Sequence, residues 1–209
     1  MKQSVIISIV LAMVLWYIMF VVKPFNFWLM MSFSTLLLSA ITVWSGGLTA
    51  KELRPQARDW LWGVLSAAAL YGVFFIGNEL LIWVERLFPD LLPNRSQNLA
   101  GIYANRGSLS PLLVAVLLFF PIGFGEEFFW RGFIQRYLGR HGKSWSAFLI
   151  TTALYTAVHL STGNTVLLLA ALVCGLFWGG LYAWTGRLPA VLISHMLWDP
   201  FIFIVLPIQ

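Results

Sequence analysis

The stretch Ser4–Val22 is nineteen residues long and carries no charged side chain. At a rise of about 1.5 Å per residue, a helix of that length covers about 28 Å, close to the thickness of a hydrocarbon layer. Inside lipid, every backbone N–H and C=O must find its partner within the chain, so such a run is forced into a helix. It is longer than the apolar part of a typical secretory signal, and no small-x-small cleavage site follows it. It therefore reads as a retained first transmembrane helix. Comparable runs recur at Phe25–Trp44, Trp60–Val84, Pro111–Tyr137, Ser144–Leu160, Thr165–Trp184 and Leu188–Leu206. The fourth is long, and Pro121 can kink or split it. Composition agrees: 60% of the residues are hydrophobic and only 10% are charged, against roughly 25% charged in soluble chains. The fold expected is all-α, a polytopic transmembrane helix bundle of about seven helices, six to eight, forming one domain over residues 1–209 with no internal repeat.

Charge placement predicts a topology. Alternate connections hold eight Lys and Arg on one side (Lys2, Lys51, Arg54, Arg58, Arg136, Arg140, Lys143, Arg187) and four on the other (Lys23, Arg86, Arg95, Arg106). Cationic loops stay cytoplasmic, so the amino terminus is expected inside and the carboxyl terminus outside. The net charge of +5 is spread over separate loops and forms no basic face with interleaved aromatics, which argues against nucleic acid as a partner. The expected surroundings are a lipid bilayer and a cell membrane crossed several times. The lack of an organelle signal and the short length fit a bacterial plasma membrane. The single cysteine, Cys174, excludes an intrachain disulfide and a multi-cysteine metal site. Lys51–Asp59 is expected to lie along the membrane surface. The longest connection, Glu85–Ser110, contains Pro89, Pro93 and Asn94 and reads as irregular. Asn94-Arg95-Ser96 fits a glycosylation pattern that often arises by chance.

Ionisable groups inside the spans need a partner or a task. They are Glu79, Glu126, Glu127, Arg131, Arg136, His159, His195 and Asp199. Glu79 and Arg136 lie near helix ends and can reach the interface. In "GFGEEFFWRGF", Glu127 and Arg131 are four apart, on one helical face, and can neutralise each other. Glu126 points about 100° away and is left without a helical partner. His195 and Asp199, in "HMLWD", are also four apart; they could simply be a hydrogen-bonded pair joining helices. Measured from the cytoplasmic helix ends, Glu126 lies about 15 Å deep, His159 about 22 Å, His195 about 12 Å and Asp199 about 18 Å. One polar cavity within the membrane could hold all four. These depths lean slightly towards the inner half of the bilayer, but they leave open the side on which a cavity opens.

A carboxylate and an imidazole can hold a water and remove its proton, and the water then attacks a carbonyl. A second histidine with a hydrogen-bonding neighbour can stabilise the oxyanion. Glu126 and His159 suit the first role; His195 and Asp199 suit the second. Two histidines and a carboxylate could instead bind zinc, although no H-E-x-x-H helix is present. No cofactor is otherwise required.

"GEEFFWRGFIQRYL" resembles the first motif, E-E-x-x-x-R, of the CAAX protease and bacteriocin-processing family of intramembrane glutamic endopeptidases. "YTAVH" resembles its second motif, F-x-x-x-H, and "HMLWD" its third, H-x-x-x-N or the aspartate variant. The motifs fall in the family's order on successive helices, with the glycine-rich "CGLFWGGLYAWTG" between the last two. The likeness covers Pro121–Pro200, within an expected catalytic core of about 111–206. It implies an endopeptidase acting on a hydrophobic or lipidated peptide or a membrane-associated protein, and a cavity opening on the inner side. Glu126 and His159 would activate water, His195 and Asp199 would form the oxyanion site, and Glu127 with Arg131 would shape it. Tyr155 stands where the motif has phenylalanine and adds a hydroxyl. An ionised Asp199 cannot donate to an oxyanion, so it would be protonated or would orient His195.

Two other classes remain open on the sequence. One is a non-proteolytic membrane scaffold or chaperone that keeps the motifs. The other is a proton-coupled carrier relaying through Glu126 and the histidines, which the lack of an internal repeat disfavours.

Overall fold

The computed structural model describes residues 3–46, 48–91, 94–105, 107 and 109–208. Lys2, Pro93 and Arg106, used in the sequence reading, lie outside the described residues. The long helices are α1 (Gln3–Val22), α2 (Phe27–Trp44), a short surface turn α3 (Ala50–Leu53), and α4 (Ala57–Leu87). They are followed by α5 (Arg95–Ala104), α6 (Pro111–Arg140), α7 (Ser144–Ala157), α8 (Thr165–Thr185) and α9 (Leu188–Val205). Among the described residues there is no strand, and six helices are long and apolar enough to cross a membrane: α1, α2, α4, α6, α8 and α9. The chain is an all-α, multi-pass membrane protein.

The expected fifth span, Ser144–Leu160, is shorter than the sequence reading placed it. α7 has fourteen residues and stops at Ala157. A single 3₁₀ turn, Leu160–Thr162, then carries the chain through Gly163, whose φ of +63° suits a residue without Cβ. Glu85–Ser110 is not wholly irregular: it contains α5, which packs against α8. Asn98 donates to Thr165 Oγ1 at 3.1 Å, and Asn164 donates to the Asn98 carbonyl at 2.8 Å. Prolines on both sides mask this helix in the sequence, and its polar face is satisfied by tertiary contacts rather than by a periodic apolar stripe.

Pro121 breaks α6, as its position predicts. Phe120 leaves helical geometry (φ −152°, ψ 126°), and the chain resumes as helix from Phe124. The break places "GEEFFWR" in a fresh helical segment at the centre of the bundle, between α2 and α9. Gly125 allows the approach to α2: a Cβ there would sit 2.8 Å from Thr35 Cβ. Gly175 and Gly179 do the same for α8 on α7, facing Thr152 and Phe148. Their small faces therefore serve packing inside the bundle. The core holds Trp16, Leu38, Leu70, Trp130, Ile134, Trp178 and Val191, while many large apolar side chains point outward, as a chain surrounded by lipid requires.

Candidate active site

Glu126, Glu127 and Arg131 are all buried, on the α6 segment beyond the Pro121 break. Arg131 Nη1 donates to Glu127 Oε1 at 2.9 Å, the pair expected from their spacing. Its Nη2 reaches the carbonyls of Cys174 at 3.4 Å and Gly175 at 3.3 Å, so the guanidinium also fastens α6 to α8. The guanidinium carbon lies 4.9 Å from the centre of the Tyr155 ring.

Glu127 has a second partner, which the sequence reading did not foresee. His195 Nδ1 lies 2.8 Å from the same Oε1, while His195 Nε2 lies 3.2 Å from Asp199 Oδ2. One imidazole is thus held between two carboxylates, and Arg131, Glu127, His195 and Asp199 form one continuous chain of polar contacts. In its cationic form the ring donates to both. Trp178 stacks on the His195 ring, with centroids 3.6 Å apart and planes 17° apart, and donates its indole N–H to Ser194 at 3.1 Å. The His195–Asp199 spacing does give a contact.

Glu126 finds its partner on another helix. Tyr155 Oη donates to Glu126 Oε2 at 2.9 Å. This is the hydroxyl by which Tyr155 departs from the motif's phenylalanine. Four residues on, His159 lies just beyond the end of α7. Its Nδ1 lies 2.8 Å from the Tyr155 carbonyl, and its Nε2 accepts the Trp16 indole N–H at 3.3 Å. A carbonyl can only accept, so the proton sits on Nδ1 and Nε2 carries the lone pair. Nothing in the sequence marks Trp16, which is 143 residues from His159.

A cavity of about 280 Å³ brings Glu126, His159, His195 and Asp199 to one wall system, with Tyr155, Cys174 and Trp178 beside them. Glu127 and Arg131 lie behind it and do not line it. The remaining walls are mostly apolar, including Phe20, Met31, Phe74 and Leu99. This agrees with a common level reached from three different helices. Among the described residues, no group of three or more His, Cys, Asp and Glu side chains is arranged to hold a metal ion.

This arrangement offers a carboxylate, a neutral imidazole whose Nε2 lone pair is held only by the 3.3 Å Trp16 contact, and a second imidazole braced by acids, all in one mostly apolar chamber. Water bound there could be deprotonated and a carbonyl polarised. No curated protein and no solved structure matches the chain. Residues 108–201, a little under half of the chain, match the family model described as type II CAAX prenyl endopeptidase Rce1-like. The match contains every polar side chain of the site described above except Trp16. Over residues 108–201, the chain is similar to the type II CAAX prenyl endopeptidase Rce1-like family.

Proposed function

We propose that the chain hydrolyses a peptide bond of a membrane-associated protein or a hydrophobic or lipidated peptide, with water activated by Glu126 and His159. The observation that carries this reading is the meeting of Glu126, His159, His195 and Asp199 at one cavity. Water between Glu126 and the His159 Nε2 lone pair loses its proton to one of them as its oxygen attacks the carbonyl carbon. The 3.3 Å bond from Trp16 to Nε2 is longer than the usual ~3.0 Å and competes weakly with a water proton. Negative charge then grows on the carbonyl oxygen. The His195 Nε2–H, which also faces Asp199 Oδ2 at 3.2 Å, is shared with that oxygen, and Asp199 orients the ring rather than donating. The proton taken from water passes to the leaving nitrogen, and the C–N bond breaks. No cofactor enters these steps, and zinc is the alternative they compete with.

Glu127 and Arg131 work from behind the cavity, holding His195 in its plane against Trp178. Tyr155 is a positioning residue for Glu126. Tyr155→Phe keeps the ring against Trp130 and His159 and removes only the hydroxyl. A hydrogen bond to a charged group contributes about 1.5–3 kcal/mol, so cleavage is expected to fall roughly tenfold to a hundredfold. KM should change little. A fall in melting temperature with unchanged turnover would assign Tyr155 to the fold alone.

The direct test is incubation of purified protein with apolar and prenylated peptides, with products identified by mass spectrometry. New amino and carboxyl termini at a fixed bond support hydrolysis. Transport or folding assistance without cleaved products would favour the carrier or the scaffold.

A further inference from the structure

The cavity occupies one half of the bundle. α1 contributes Phe20, near its end, and α2 contributes from its first turn. α4 lines the cavity only from Val73 onward, and α9 only from His195 onward. α8 contributes nothing beyond Trp178, and α5 roofs the space with Leu99, Ile102 and Tyr103. The Tyr103 hydroxyl accepts the Ile208 N–H at 3.0 Å and donates to the Ile202 carbonyl at 3.3 Å, so the roof is tied to the same end. All these positions belong to the ends at Val22, Phe27, Leu87, Pro111, Thr165 and Val205. The other half is closed. Trp130, Ile134 and Val191 are fully buried beyond Glu126, and Gln135 bonds the Gly179 carbonyl at 2.9 Å. The space around Glu126 therefore lies towards the α5 end.

The cations gather at the opposite end. Among the described residues, Lys51, Arg54, Arg58, Arg136, Arg140, Lys143 and Arg187 lie on the connections and helix ends away from the cavity. Arg187 there clasps Asp59 at 3.0 and 2.5 Å, and Arg136 pairs with Glu52. At the cavity end, Lys23, Arg86 and Arg95 remain, and Arg95 is buried against Glu85 at 2.8 Å. Lys and Arg in short connections hold their side of a membrane protein in the cytoplasm, and acidic neighbours change this little.

We propose that the cavity opens to the non-cytoplasmic side, and that its substrate is the extracytoplasmic segment of an exported or membrane-anchored apolar peptide. The substrate class rests on the peptidase reading; the sidedness does not. This differs from the inner opening implied by family likeness. A tail presented in the cytoplasm would meet the closed, cationic end, whereas a peptide at the other face meets α5 and the apolar walls.

Sidedness is measured by cysteine labelling in cells that express the whole chain. In a Cys174→Ala background, Asp90→Cys marks the cavity end and Lys143→Cys the opposite end; both positions are exposed. A membrane-impermeant maleimide should label Asp90→Cys in intact cells, and Lys143→Cys only after permeabilisation. Leu91→Cys and Arg54→Cys, also exposed, provide a second pair should either first variant accumulate poorly. Labelling of Lys143→Cys or Arg54→Cys in intact cells overturns the proposal. This readout needs no catalysis, so its failure is distinct from failure of the peptidase reading. In vesicles sorted by the same label, added peptide should be cut only where the Asp90 end faces outward. Cutting where only the Lys143 end is accessible also overturns the proposal.

Discussion

Glu126→Gln is expected to abolish peptide cleavage while leaving the protein folded. The two side chains have nearly the same shape, and a glutamine oxygen still accepts the Tyr155 hydroxyl that now bonds Glu126 Oε2 at 2.9 Å. What the substitution removes is the ability to take a proton from water. A positioned general base contributes a factor on the order of 10²–10⁴, and the loss should fall on kcat with KM nearly unchanged. The fold should tolerate the change because, among the described residues, no ion pair reaches Glu126: Arg131 is bonded to Glu127 instead. Comparing kcat, KM and melting temperature in detergent for both proteins checks each part. Turnover retained by the variant would remove Glu126 from the chemistry.

Arg131→Ala is expected to cost the fold itself. The guanidinium is wholly buried and joins Glu127, the Cys174 and Gly175 carbonyls and the Tyr155 ring. Its removal leaves the Glu127 carboxylate buried with His195 as its remaining polar partner. Breaking a buried pair from one side costs about 3–5 kcal/mol, a large part of the roughly 5–15 kcal/mol that keeps a domain folded. Thermal unfolding in detergent should show a large drop in midpoint, or little folded protein should be recovered. The double variant Glu127→Gln with Arg131→Met removes both charges and keeps an acceptor for His195. It should recover much of the stability. It should not recover activity, because His195 loses an ionised brace. A single Arg131→Ala variant as stable as the parent would show that the pair is not needed to keep the bundle together.

The polar core was largely legible because helix geometry is rigid. Four-residue spacing alone placed Glu127 with Arg131 and His195 with Asp199, and both contacts are present. Ring direction around the helix set Glu126 apart from its neighbour, and it bonds a different helix from Glu127. The rise per residue set a common level for side chains on three helices, and one cavity collects them. What stayed hidden depends on packing between distant segments. Trp16 reaches His159 across 143 residues and Glu127 reaches His195 across 68, and no local pattern encodes either. α5 escaped notice because its sequence, RSQNLAGIYA, is weakly apolar and flanked by breakers. The hollow half of the bundle is equally invisible from spacing. It follows from which helix halves carry side chains that meet.

The most direct test of the central claim is cleavage of an apolar peptide by the purified wild-type chain before and after treatment with a strong chelator. Water activated by Glu126 and His159 requires no metal, so the rate should be unchanged. A rate that vanishes on chelation and returns with zinc would contradict the account and make Glu126, His159 and His195 ligands instead.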